Sequence, residues 1–283
     1  MGLAAFLTAV AVATMTPEQK AAAVVVSGLP APPGVGGVLV HRGRVGEPRP
    51  SGALVFVDQE GGDVRAFRSL PPARPASAYR SAREARAAGV QAGRALRRAG
   101  VDVDLAPVLD APDGPLGSRH FRSQAVGRAF GLGLLRGGVA ACAKHFPGLG
   151  STPVSTDERP HVRGAVRSLE VAGFRVRDWP CVMVGHAFYP SLGRFRASME
   201  PATYRLLRAR GFTGVAITDS LSIVSRPPRY WPRRAIRAGA DLLLFSSPAH
   251  ARRAIRDLLP LARGGELDEH VARVLQFRRV YGS

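Results

Sequence analysis

Eight short apolar runs recur through the chain, at residues 22–27, 36–41, 53–58, 101–106, 139–145, 181–186, 214–219 and 241–245. Each has the length of a buried strand and is bounded by turn-forming residues. Most of the gaps between them carry a helical period. The clearest is 81–99, where alanines, Val90 and Leu96 lie between arginines whose stems can run along the surface. Residues 201–210, 231–238, 251–261 and 268–281 repeat the pattern. Strands alternating with helices mean parallel β/α units, and eight of them predict a single-domain (β/α)8 barrel of the α/β class. One connection departs from this rule. Residues 42–52 hold two prolines and three glycines, so the helix between the second and third strands is expected to be missing or shortened. The stretch 224–230 is a second place where a longer connection is expected to be trimmed.

In such barrels the working groups sit at the C-terminal ends of the strands. Those ends carry Asp58, Gln59 and Glu60 after run three, Asp110 after run four, Lys144 and His145 on run five, His186 on run six and Asp219 on run seven. Any one of these has a bland explanation, but unpaired buried charges are costly and the set converges on one mouth. Convergent polar groups over an apolar core fit a hydroxyl-rich small molecule. Run five stands out, because its apolar residues end abruptly in Lys144 and His145 and then enter a Pro/Gly-rich loop that reaches Asp157 and Glu158. Of 40 basic Lys and Arg residues only Lys20 and Lys144 are lysines. A compact ammonium at a strand end is a different tool from a guanidinium fork.

The formal charge of +19 would ordinarily point to a polyanionic partner. Here the arginines are spread over almost every segment without an aromatic-interleaved stripe. We therefore expect nonspecific attraction to polyanions and no specific nucleic-acid partner. Cys142 and Cys181 both fall in apolar strand-like runs, and are expected as buried free thiols. Residues 1–15 are apolar but lack a basic leading segment and are too short to span a membrane. A cleaved signal peptide and a first helix both fit them, with the barrel domain occupying 16–283. Export or a cell-envelope location is favoured slightly over the cytoplasm. Oligomeric state is not legible.

Several stretches together resemble glycoside hydrolase family 3, and within it the single-domain bacterial β-N-acetylglucosaminidases. Val57-Asp58-Gln59-Glu60-Gly61-Gly62 is similar to the family's DQEGG turn, and Leu105-Ala106-Pro107-Val108-Leu109-Asp110 to its APVLD strand. Gly117-Ser118-Arg119-His120-Phe121 resembles its arginine-bearing segment. Lys144-His145-Phe146-Pro147-Gly148 matches KHFPG, and Ile217-Thr218-Asp219-Ser220-Leu221-Ser222 matches the nucleophile motif. The resemblance runs over nearly the whole chain. It implies a (β/α)8 barrel and retaining hydrolysis of a terminal β-linked N-acetylhexosamine or related sugar, without metal or organic cofactor. It also implies Asp219 as nucleophile, with Asp58, Arg119, Lys144, His145 and His186 holding the sugar.

The resemblance fails in the loop that supplies the proton. The family writes KHFPGHGDTxxDSH, whose last aspartate and histidine form an acid/base dyad. Here Ser155 stands for that aspartate and Asp157 for that histidine, while Leu149 and Ser151 replace two further polar residues of the loop. Three readings stay open at this point. Asp157, or Glu158, takes over as acid/base; His161 swings in from farther along; or the barrel binds sugar as a catalytically impaired homologue. A further departure lies eight residues after Asp58, where the family places a binding arginine and this chain has Ala66, flanked by Arg65 and Arg68. Of the remaining candidates, Asp104 is expected to be structural and His120 to support Arg119. His250 and His270 are expected at the surface, while for His41 a strand-end surface position fits as well as a place in the pocket.

Overall fold

The computed structural model describes residues 3–223 and 230–282. The chain opens with α1 (Leu3–Thr14), which covers the stretch read above as a cleaved signal peptide or a first helix. A reciprocal cap then starts α2 (Pro17–Ala23): the Thr16 hydroxyl accepts the Gln19 amide, and the Gln19 side chain accepts the Thr16 amide. Next come β1 (Val25–Gly28), β2 (Gly37–Leu39) and β3 (Leu54–Val57). No helix forms across 42–52, as the prolines and glycines there require. A small antiparallel hairpin follows, β4 (Gln59–Gly61) with β5 (Val64–Arg65). The remaining elements alternate: α3 (Ala82–Arg98), β6 (Val103–Asp104), α4 (Gln124–Arg136), β7 (Ala140–Phe146), α5 (Ser168–Gly173), β8 (Cys181–Val184) and α6 (Pro201–Ala209). The chain ends with β9 (Val215–Thr218), α7 (Tyr230–Ala238), β10 (Leu243–Phe245), α8 (Pro248–Arg263) and α9 (Asp268–Tyr281). The trimmed connection expected at 224–230 lies, apart from Tyr230, outside the described residues.

The large sheet runs β10-β1-β2-β3-β6-β7-β8-β9, all parallel, and a bridge between Ile217 and Leu242 brings its two edges together. This is the closed (β/α)8 barrel that the eight runs predict. Alternation along each strand sorts the side chains. Val26, Leu54, Phe56, Leu105, Met183, Ile217 and Leu244 fill the interior, where Val274 and Phe277 of α9 join them. Val25, Val55, Val57, Val182 and Ala216 pack outward on the helices.

Two features depart from expectation. The cysteines are not free: Cys142 and Cys181 are register partners on adjacent parallel strands and form a disulfide inside the barrel, with Cα atoms 4.4 Å apart. Each apolar run correctly marks its cysteine as buried, but only the pairing of β7 with β8 reveals that the two side chains share one face. The helix α4 was not anticipated either, because Gly127, Gly131 and Gly133 weaken its helical signal. Close packing explains the glycines: a Cβ on Gly127 would meet Leu109 and Phe121, one on Gly131 would meet Trp179 and Pro107, and Gly133 faces Gly89 of α3. A Cβ on Gly89 would lie 2.1 Å from the Phe130 carbonyl, and one on Gly133 would lie 2.4 Å from that of Arg86. The two backbones touch where side chains would hold them apart.

Candidate active site

The C-terminal ends of the strands surround a cavity of about 350 Å³ lined by six of the residues singled out above, Asp58, Arg119, Lys144, His145, Asp157 and Asp219, together with His41, Ser220, Ser246 and apolar residues. The six come from five different β/α connections or strands, so only the closed barrel brings them together. Lys144 projects from β7 and is almost fully buried. Its ammonium lies 2.6 Å from Asp58 and 2.7 Å from Glu60. Glu60, also buried, accepts two parallel bonds from Arg119, from Nε and Nη2, each 2.8 Å long. The hairpin β4–β5 delivers Glu60 to this place, and the Gln59 amide that begins it donates to Asp104 at 3.0 Å.

The charges fix each other's protonation. Burial alone would raise the Glu60 carboxyl, but Lys144 and Arg119 outweigh it and hold the group at about 2. Burial would strip the Lys144 proton, yet Asp58 and Glu60 push its pKa above the ordinary lysine value. Glu60 is thus a permanent anion neutralising two permanent cations. Below it, Asp104 is raised by burial to about 8, with one carboxylate oxygen left without a partner in the interior.

His145 turns its Nδ1 to Asp110 at 2.7 Å, and the same carboxylate accepts the amides of His145 and Leu149. Burial opposes the imidazolium, but Asp110 reverses this and raises the His145 pKa. Asp110 therefore orients the ring and the start of the loop at once. Asp219 follows β9; its amide donates to Val184 O, and its carboxylate accepts the Ser220 amide at 2.7 Å. Burial disfavours its charge, but His186, His145 and the Ser220 amide overcome that and lower its pKa. His186 is itself pushed down by burial. His145 and Lys144 are thus cationic neighbours that favour the ionised form of Asp219.

His186 does not line the cavity. It is fully buried behind Asp219, bonding Ser198 Oγ at 2.8 Å and Ser220 O at 3.1 Å. Asp157 stands at the rim with 57% of its side chain exposed, 3.7 Å from Arg119. Partial desolvation and the charge of Asp219 raise its pKa. One partly buried carboxylate held ionised and a second, at the rim, inclined to keep its proton form the pair of states that acid-assisted displacement requires. Glu158 is exposed, and His161 lies flat on Phe188 with ring centroids 6.0 Å apart, so neither joins the cavity. Arg65 turns to Gly62 O and Arg68 O and, with Arg68, lines a separate groove; neither supplies what Ala66 lacks. His270, expected at the surface, instead meets Asp241 at 3.1 Å, where Arg208 and Arg273 also converge beneath the barrel.

The sequence places Glu60 and Asp110 among the strand-end groups but assigns neither a role. Glu60 stands inside the quoted DQEGG turn, but its side chain gives no sign in sequence that two cations from other loops close on it.

A (β/α)8 barrel whose strand ends present carboxylates, a buried lysine and a bidentate arginine around a small polar cavity belongs to the class of barrels built for small polar ligands. Residues 41–277 match the Glycosyl hydrolase family 3 N terminal domain, and the chain belongs to this family. It is 32% identical over 267 residues to the beta-hexosaminidase LpqI of Mycobacterium tuberculosis, a match covering 78% of this chain and 66% of that protein. The chain thus spans just under two thirds of that relative's length. The solved structure of M. tuberculosis LpqI superposes with a TM-score of 0.81 at 29% identity, covering 95% of this chain and 96% of that one. The beta-N-acetylhexosaminidase from Beutenbergia cavernae gives a TM-score of 0.82 at 25% identity, over 95% and 100% of the two chains.

Proposed function

We propose that this chain is a retaining glycoside hydrolase of the β-N-acetylhexosaminidase type, with Asp219 as nucleophile and Asp157 as acid/base. The observation that carries the reading is the opposite displacement of the two carboxylates, Asp219 down and Asp157 up, across one cavity. Asp219 attacks the anomeric carbon while Asp157 gives its proton to the departing oxygen. Asp157, then a base, draws a proton from water as the glycosyl ester is opened. Asp58 accepts sugar hydroxyls, and Arg119 and Lys144 donate to them with their remaining N–H groups. His145 keeps Asp219 ionised, and His186 supports it from behind. The names of the related hexosaminidases support a terminal β-linked N-acetylhexosamine as substrate. Among the described residues no helix is long and apolar enough to cross a membrane. The Cys142–Cys181 disulfide supports work in an oxidising compartment, in the cell envelope or outside the cell.

The test is covalent trapping with a 5-fluoro N-acetylglucosaminyl fluoride, read by intact mass. The activated leaving group needs little acid, so the trap reports the nucleophile separately from the altered loop. An adduct on the wild type that disappears in Asp219→Ala supports the hydrolase. A folded wild type that binds N-acetylglucosamine but never forms an adduct would leave the impaired-homologue reading in its place.

A further inference from the structure

Arg196 lies between the catalytic loop and the strand ends in an unusual setting. It is 3% exposed, and among the described residues no carboxylate lies within ion-pair distance of it. Its guanidinium instead donates through one nitrogen, Nη1, to two backbone carbonyls, those of Pro160 and His186, the latter at 3.2 Å. It also lies over the ring of Phe188, 4.8 Å from the centroid, and near that of Trp231 at 5.7 Å. Burying a cation without an anion is expensive, and carbonyl dipoles and aromatic faces repay only part of the cost. Burial accordingly lowers its pKa to about 10, which still leaves it charged at neutral pH.

The two carbonyls identify what that cost secures. Pro160 is three residues beyond Asp157, in a loop without regular structure whose residues 155–159 bond mainly to one another. His186 ends the strand behind Asp219, and its ring bonds the carbonyl of Ser220. One nitrogen therefore joins the loop bearing one carboxylate to the support of the other. We propose that Arg196 is a positioning residue for the reaction, clasping the Asp157 loop at its working distance from Asp219. The inference rests on Asp157 being the acid/base. Without the clasp Asp157 would still exist, but a displacement of about 1 Å costs about 100-fold in a positioned proton transfer.

The experiment compares Arg196→Met, Arg196→Lys, Asp157→Asn and the double variant Arg196→Met/Asp157→Asn on two N-acetylglucosaminides. One has a dinitrophenyl leaving group that needs no proton, and the other a methyl or sugar aglycone that does. We expect Arg196→Met to lose about 100-fold in kcat/KM, which reports the first, proton-assisted step alone, on the unactivated substrate and less than about threefold on the activated one. Arg196→Lys, which keeps a donor, is expected to recover most of the loss, and the double variant to be no worse than Asp157→Asn. Equal losses on both substrates, or additive losses in the double variant, would overturn the proposal, because a merely structural arginine slows every substrate alike. If Arg196→Met does not fold, Arg196→Lys carries the same comparison, and a loss independent of leaving group overturns the proposal there too. If Asp157→Asn itself shows no leaving-group dependence while the covalent trap still forms, the acid/base assignment is wrong and the clasp falls with it. If Asp157→Asn behaves as an acid/base variant and Arg196→Met does not, only the clasp is refuted.

Discussion

Replacing Glu60 by glutamine tests whether the site's charge pairing is a source of stability as well as of binding. Glu60 is 3% exposed and meets both Lys144 and Arg119, themselves mostly or partly buried. A carboxyl that titrates near 4.5 in an unfolded chain and at about 2 in the folded one is stabilised by roughly 3 kcal/mol when both states are fully ionised. Because the folded value is the lower, the contribution is complete above the unfolded pKa and is lost as the pH falls towards the folded one. The E60Q variant cannot ionise, and it leaves two cations facing each other over an amide. At pH 7 it should therefore be less stable than wild type by about 3 kcal/mol, within the range for breaking a buried ion pair. The assay is urea unfolding of both proteins between pH 7 and the lowest pH at which both refold reversibly. The difference should be constant down to about pH 5 and should shrink steadily below about 4.5. Other carboxylates titrate in both proteins and largely cancel in the comparison. A difference below about 1 kcal/mol at pH 7, or one that does not change between pH 5 and pH 3, would refute the claim that Glu60 is held ionised by its two partners.

The raised pKa of Asp157 gives a pH dependence of definite sign: kcat on unactivated substrates falls as the pH rises through that pKa, and in Asp157→Asn this alkaline limb disappears. A limb that persists unchanged would assign it to another group. Cys142 and Cys181 should resist alkylation until reduced, and Cys142→Ser/Cys181→Ser should lower unfolding stability by up to about 4 kcal/mol, the chain-entropy figure for a loop of this length. Rapid alkylation of the folded, unreduced protein would contradict the bond. Gly89→Ala should cost about 1–3 kcal/mol in denaturant unfolding, because its methyl group meets the Phe130 carbonyl across the α3–α4 contact. A neutral result would show that the two helices are free to separate there.

The barrel was legible because its signal is repeated. Every strand carries the same local message, apolar and short, and one misread run would not change the fold. The site was legible where a polar group sits at a strand end with no apolar reason to be there, as Lys144, His145 and Asp219 do. What stayed hidden depends on partners distant in sequence. Glu60 acquires its meaning from Lys144, 84 residues away, and from Arg119, and Cys142 its disulfide from a register that only the sheet defines. The same holds for α4, whose glycines read as helix breakers until α3, Phe121 and Trp179 lie against them. His186 was misplaced for a related reason. A histidine at a strand end points to the mouth or behind it according to its neighbours, and here Ser198 and Ser220 hold it behind.

The altered loop changes the electrostatics of the site in a way that bears on the proposed mechanism. Lys144 and Arg119 are occupied by Glu60 and Asp58, so neither dominates the titration of Asp219. That task falls to His186 and His145, the latter with its pKa raised by Asp110 from the far side of the ring. A carboxylate placed at the rim then faces an ionised Asp219, and its pKa rises for that reason as well as for its partial burial. A histidine in the same place would be pulled the other way, since a neighbouring anion favours the imidazolium. Replacing the histidine by Asp157 therefore exchanges an acid stabilised by Asp219 for one that Asp219 pushes towards neutrality. Both arrangements keep a proton available beside Asp219, by opposite signs of the same interaction. In the aspartate version the proposed acid depends on the charge of Asp219. Asp219→Asn should therefore lower the Asp157 pKa, a shift that carboxyl NMR titration of the folded variant would detect, and a pKa unchanged by that substitution would break the electrostatic link on which the proposed acid/base rests.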